Sequence, residues 1–123
     1  MHPFFERLDP TLHIAHRGGA ALAPENTMEA FSQAVSVWKT DMLELDIRSS
    51  ADGRIVVFHD DTVDRCTDGK GPIEALSWAQ IQQLNAGFQF KSLTGDPSFI
   101  DRGCRVPLLA EVLTAWPQLP INI

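Results

Sequence analysis

Three features of this 123-residue sequence predict an α/β fold. A short apolar run stops at His16-Arg17-Gly18-Gly19, a strictly alternating segment covers 42–48, and stretches with helical periodicity lie between these and further β-like runs. The order strand, helix, strand, strand, helices, strand belongs to α/β architecture rather than to a bundle or a sandwich.

The elements follow in order. Leu12 to His16 reads as a buried strand ending in a tight loop that its glycines permit. A helix is predicted after Pro24, with Asn26 as its cap, or secondarily a site residue near His16, and Glu29 three residues on. Met28, Phe31, Val35 and Trp38 form its apolar stripe, and it fades near Lys39 to Asp41. From Met42 to Arg48 the period is two, so Leu43, Leu45 and Ile47 share one face while Glu44, Asp46 and Arg48 share the other. Asp52-Gly53 marks a turn, and Arg54 to His59 is a β-branched strand ending on a second histidine.

Beyond it, Thr62 to Gly71 reads as a surface loop. A capping box at Ser77 to Gln80 opens a short helix carrying Trp78, Ile81 and Leu84, which Asn85-Ala86-Gly87 can end. Phe88 to Arg105 is a long loop of the length that lids and rims have. A last helix has Leu109, Val112, Leu113 and Trp116 on one side and is stopped by Pro117; a strand begins at Pro120 to Ile123. Only from Ile47 to Ile55 does the topology strain. A parallel crossover needs a dozen residues or more, so either the chain doubles back there or the strands pair irregularly.

Composition narrows the function. Ten Lys and Arg against 16 Asp and Glu give a net charge of −6, with no basic field for nucleic acid. No apolar run spans a bilayer, and the first ten residues break their apolar pair with charge and proline, so neither an anchor nor a signal peptide is expected. Cys66 and Cys104 show no metal or redox spacing and read as reduced cytoplasmic thiols.

Two carboxylates two apart on a strand point the same way, about 7 Å apart at Cα. Glu44 and Asp46 therefore either keep a solvated face or, if the face looks inward, need a hard cation such as Mg²⁺ or Ca²⁺. His16 and His59, each at a strand end, converge on the same edge if the sheet is parallel. Together these groups suit phosphoryl chemistry: Arg17 holds an oxygen, two imidazoles move protons, and a metal shields charge.

The run His16-Arg17-Gly18-Gly19, Pro24-Glu25-Asn26-Thr27, Glu44-Leu45-Asp46, Asp52-Gly53, Val56-Val57-Phe58-His59-Asp60, Thr62, Asp64-Arg65 and Thr67 resembles the glycerophosphodiester phosphodiesterase family. So does Val106-Pro107-Leu108-Leu109 with Glu111-Val112-Leu113, and the likeness runs from Leu12 to Ile123. It implies a partial TIM (β/α)8 barrel, about its first four strands, since a whole one takes about 250 residues. It also implies hydrolysis of glycerophosphodiesters to an alcohol and glycerol 3-phosphate. By motif, His16 and His59 become the acid/base pair, Glu44 and Asp46 the ligands of a divalent Mg²⁺ or Ca²⁺, and Arg17 the phosphate contact.

The expected organisation is one such domain over 1–123, truncated at its C-terminus, with a loop or insertion region at 61–105. The family's third metal-binding carboxylate lies on the strand beginning at Ile121-Asn122-Ile123, so this chain alone is expected to be inactive or weak. A small-molecule substrate, no nucleic acid and no membrane anchor are expected, with no oligomeric state assigned. The competing readings are a lysophospholipase D-like enzyme and a non-catalytic phosphate-binding module.

Overall fold

The computed structural model describes residues 11–93, 95 and 98–123. The first ten residues, read above as no signal peptide, lie outside this range, as do residues 94, 96 and 97 of the expected rim loop. The elements are β1 (Ile14–His16), α1 (Met28–Ser36), β2 (Met42–Glu44), β3 (Ile47–Ser49), β4 (Ile55–Val57), a 3-10 turn (Ile73–Ala75), α2 (Trp78–Ile81), α3 (Ser98–Asp101), α4 (Leu109–Ala115) and β5 (Ile121–Asn122). The α/β class is observed. Among the described residues, no helix is long and apolar enough to cross a membrane.

β1, β2 and β5 form one parallel sheet in that order, with His16 level with Glu44 and Glu44 level with Asn122. Leu43, Leu45 and Ala15 bury one face against Phe31 and Ala34 of α1 and Val112 of α4. The opposite side chains, His16 and Glu44 among them, are left at the other face, where successive residues of a strand must alternate.

The strand read as Met42 to Arg48 is two strands. Leu45 N–H still donates to Asn122 O, whereas Asp46 O accepts from Phe58 N–H, so the chain changes partners between these neighbours. β3 then pairs antiparallel with β4 as a hairpin. The topological strain is resolved by the chain doubling back. Ser50 and Asp52 close the turn: Arg54 N–H donates to Ser50 Oγ, Ser50 Oγ–H donates to Asp52, and Gly53 takes φ 79°. Three parallel strands are therefore described where the sequence suggests four, and Ile47, assigned to the apolar face, is 40% exposed.

Local chemistry moves other boundaries. The cap of α1 is Thr27, not Asn26: Thr27 Oγ1 accepts from Ala30 N–H at 3.2 Å, worth about 1 kcal/mol, and donates to Pro24 O. The helix ends at Ser36, and Lys39 at φ 52° turns the chain so that Thr40 N–H reaches Ala34 O. Small Ala30 and Ala34 share the buried face with Phe31, leaving Trp38 47% exposed. Leu113 of α4 is likewise exposed, while Val112 is buried.

Several described residues of 61–105 are packed. Val63, Ile73, Ile81, Ala86, Phe99 and Cys104 join Val56 and Phe58 in a second core, and Thr67 is buried with its hydroxyl on Val63 O. The capping box at Ser77 and Gln80 forms as expected, and Asp52 accepts from Trp78 N–H, tying the hairpin turn to α2.

Candidate active site

Arg17, Gly18 and Gly19 all take positive φ, at 51°, 77° and 91°, so the chain leaves β1 in a sharp loop. A Cβ on Gly18 would meet Phe31 Cδ1 at 2.8 Å and Ala30 Cβ at 2.9 Å, so the loop can sit on α1 only as glycine. For Arg17 the left-handed backbone costs about 1–2 kcal/mol. It is held there by its own N–H donating to Glu44 Oε2 at 3.0 Å and by Asn26 N–H donating to Arg17 O at 2.9 Å.

The expected residues of β1 and β2 meet. His16 Nε2 lies 4.0 Å from Glu44 Oε2, with the imidazole 68% exposed and free to reach a ligand. The half-buried Arg17 guanidinium donates from Nη1 to Glu25 Oε1 at 3.2 Å and lies with Nε 3.4 Å from Asp46 Oδ2. From the other side, Asn26 Nδ2 donates to Asp46 Oδ2 at 3.1 Å. Two buried polar atoms beside Asp46 have no hydrogen-bond partner among the described residues, the donor Arg17 Nε and the acceptor Asn26 Oδ1.

His59 stands just past β4, its side chain 41% exposed, and joins the site through a chain of charges. Its backbone carbonyl accepts from Arg48 Nε and Nη2, and Arg48 Nη1 pairs with Asp61 at 2.6 Å. The ring Nδ1 lies 2.7 Å from Asp60 Oδ1. Asp60 in turn accepts from Arg65 Nε and Nη2, at 2.7 and 2.9 Å, and Arg65 also donates to both oxygens of Glu25, at 2.7 and 2.9 Å. A continuous path runs His59, Asp60, Arg65, Glu25, Arg17, Asp46.

The electrostatics follow. Arg65's hydrogen bonds hold the Asp60 carboxyl well below the usual carboxylate range, against some burial and with help from His59. Burial of Glu25 opposes its charge, yet the Arg65 hydrogen bond and the Arg65 and Arg17 charges outweigh it and keep its carboxyl low. Arg65 is pushed up by its bonds to Glu25 and Asp60. Cys66, beside them, is pushed up to about 12 by burial and by the Glu25 charge, so it is no nucleophile. Ionised Asp60 can only accept, so a neutral His59 ring bonded to it would carry its proton on Nδ1 and leave Nε2 as the free acceptor on the far side of the ring.

A divalent cation that takes oxygen ligands would find them in the carboxylates of Glu44 and Asp46, whose Oε2 and Oδ2 here accept from Arg17 N–H and Asn26 Nδ2. The unpartnered Asn26 Oδ1 beside them suits a hydrated cation, whose water supplies the missing donor. Among the described residues no cluster of three His, Cys, Asp or Glu side chains forms a cation site.

Sequence reasoning gave Glu25, Asp60 and Arg65 no role and made Asn26 a cap first and a site residue only second. The signal lay in Glu25-Asn26 and Asp64-Arg65, quoted as motif residues without a partner to explain them.

The sequence pattern of the glycerophosphoryl diester phosphodiesterase family matches residues 16–123, from the first histidine of this site to the end of the chain. The chain belongs to that family. A glycerophosphodiester phosphodiesterase of Caldanaerobacter subterraneus is 41% identical over 103 residues, covering 83% of this chain and 39% of the relative. A lysophospholipase D of Homo sapiens is 39% identical over 122 residues, covering 90% of this chain and 35% of the relative. Among solved structures of the family, an Oleispira antarctica phosphodiesterase, in complex with the product sn-glycerol-3-phosphate, superposes with a TM-score of 0.76 at 30% identity. That likeness covers 97% of this chain and 45% of the other. The chain thus spans about two-fifths of the length of the family members it matches.

Proposed function

We propose that this site takes part in the metal-dependent hydrolysis of glycerophosphodiesters to an alcohol and glycerol 3-phosphate. The observation that carries the reading is the pair of orphaned atoms beside Asp46. Arg17 Nε is a donor suited to a phosphate oxygen, and Asn26 Oδ1 is an acceptor suited to a hydrated cation. A cation that draws Asp46 to itself and a phosphodiester that takes its place at Arg17 would satisfy both.

In this reading Arg17 holds the phosphate, the substrate competing with Glu25 and Asp46 for its guanidinium. His16 and His59 are the acid/base pair, and Nε2 of His59, the ring nitrogen not held by Asp60, is the atom that takes or gives the proton. Glu44 and Asp46 hold Mg²⁺ or Ca²⁺, which when bound polarises a phosphoryl oxygen and shields its charge. The parallel strands β1, β2 and β5 serve as the first three of a TIM barrel, whose sites lie at the C-terminal strand ends where His16 and Glu44 stand. Two free thiols support a reducing, cytoplasmic setting.

The alcohol substituent lies, in this reading, toward a cleft of about 250 Å³ walled by Glu25, Arg65, Phe90 and Lys91. The exposed apolar Phe88 and Leu93 on the same stretch, with the human relative named a lysophospholipase D, support a single-chain lipid as the second candidate substrate.

The test is release of glycerol 3-phosphate from glycerophosphoethanolamine by the intact protein, with and without a chelator. Product that disappears with chelator and returns with Mg²⁺ or Ca²⁺ supports the reading, and Glu44→Gln should move the cation titration to higher concentration. Phosphate binding without turnover would make the chain a binding module, and cleavage of lysophosphatidylethanolamine alone would favour the lipid substrate.

A further inference from the structure

We propose that Arg65 is a positioning residue for both sides of this site: its guanidinium holds Asp60 against Nδ1 of His59 and Glu25 against Arg17. The inference rests on the catalytic reading above for its consequence, and on geometry alone for the clamp.

Arg65 makes four hydrogen bonds to two carboxylates, two to Asp60 and two to Glu25, all between 2.7 and 2.9 Å. Only a planar fork of N–H donors can grip two carboxylates in this way, and an ammonium cannot reproduce it. The side chain is 51% exposed, where solvent screens ion pairs, so its contribution to folding is modest and its main effect falls on geometry.

The surroundings of His59 show why a clamp is needed. Arg48, itself paired with Asp61, grips the His59 backbone carbonyl and leaves the ring free to rotate. The ring's contact is Asp60, and the Asp60 oxygens are in turn fixed by Arg65. A carboxylate that accepts from Nδ1–H selects one tautomer and aims Nε2 away from it. Held loosely, Asp60 would let the ring turn and let the proton move to Nε2, the form free imidazole prefers. On the other side Glu25 meets Arg17 at 3.2 Å, so the same guanidinium steadies the phosphate-side arginine through one carboxylate.

The experiment is long-range ¹H–¹⁵N NMR of the histidine rings in the intact protein, with His59 assigned by its loss in His59→Gln. Wild type, Arg65→Ala and Arg65→Lys are compared, with turnover of a glycerophosphodiester measured in parallel. Wild-type His59 is expected as the Nδ1–H tautomer, shifting toward Nε2–H in Arg65→Ala while His16 stays as it was. Turnover is expected to fall on the order of 10²-fold in kcat, the loss that misplacing a catalytic group by about 1 Å brings, with a rise in KM from the loosened Arg17. Arg65→Lys should resemble Arg65→Ala, because it keeps the charge and lacks the fork.

A wild-type His59 protonated on Nε2 overturns the proposal without recourse to any variant, so misfolding of Arg65→Ala would not shelter it. Wild-type tautomer and kcat in Arg65→Ala overturn it as well, and so does full restoration by lysine. Absence of turnover in the wild type would instead remove the proposed function, while the ring signals still decide the clamp.

Discussion

The side-chain amide of Asn26 donates a 3.1 Å hydrogen bond to Asp46 Oδ2, joining the turn before α1 to the segment that follows β2. Asn26 sits at φ 56°, where asparagine is tolerated and most residues are strained. The two properties separate by substitution. Asn26→Gly loses the hydrogen bond, at about 1 kcal/mol, while Asn26→Ala adds about 1–2 kcal/mol of backbone strain, so alanine should be the less stable in urea. Both should weaken Mg²⁺ or Ca²⁺ binding by roughly 10- to 100-fold, as loss of a group orienting a ligand does. Calorimetric affinities equal to wild type would show that the Asn26 contact does not serve the cation.

Each histidine should be dispensable for folding and needed for turnover. His16 and His59 are largely or partly exposed, so alanine at either position should change stability by no more than about 0.5 kcal/mol. Loss of a general acid or base should lower kcat by roughly 10²- to 10⁴-fold. The check is kcat for each variant beside its urea midpoint. Near-normal turnover in one of them removes that histidine from the acid/base pair.

Gly18 is where loop geometry and packing coincide. At φ 77°, with Phe31 and Ala30 within 3 Å of where a Cβ would lie, Gly18→Ala should cost about 2 kcal/mol or more. Gly53→Ala shares the positive φ, at 79°, and meets nothing within 4 Å, so it should cost only the strain. Equal losses in chemical denaturation would mean that contact with α1 contributes nothing.

Acid should loosen the network in a defined direction. Glu25 and Asp60 are both held below the ordinary carboxylate range, so the unfolded chain takes up their protons first as pH falls. Their stabilisation is complete above about pH 5 and is lost progressively below it, through their folded values. Urea midpoints measured from about pH 7 to about pH 3 should decline for wild type and decline less steeply for Arg65→Ala, which removes the main cause of both shifts. Parallel slopes in the two proteins would contradict this.

Much of the molecule is legible in its residues taken locally. Alternation in 42–48 places Leu43 and Leu45 inward with Glu44 and Asp46 opposite, and the capping box at Ser77 forms as written. His16, Arg17, Glu44 and Asp46, separated by up to 30 positions, are brought together, as the ends of parallel strands require. Alternation fails at Ile47, because a period of two reports a strand and not its partner, and the partner changes after Leu45. Trp38 and Leu113 fail for a related reason: the helical stripe is right, but burial goes to whichever residues face the sheet, and small Ala30 and Ala34 face it.

What the sequence determined by itself is the α/β class, the family and the residues able to carry phosphoryl chemistry, because each depends on spacing along the chain. Tertiary structure alone decided that β3 and β4 form a hairpin beside the parallel sheet, that Asn26 binds Asp46 instead of capping α1, and that Arg65 joins Asp60 to Glu25. A carboxylate or an amide has several partners within reach of its chemistry. Which one it takes is set by the distances that folding leaves between residues such as Glu25 and Arg65, 40 positions apart in sequence.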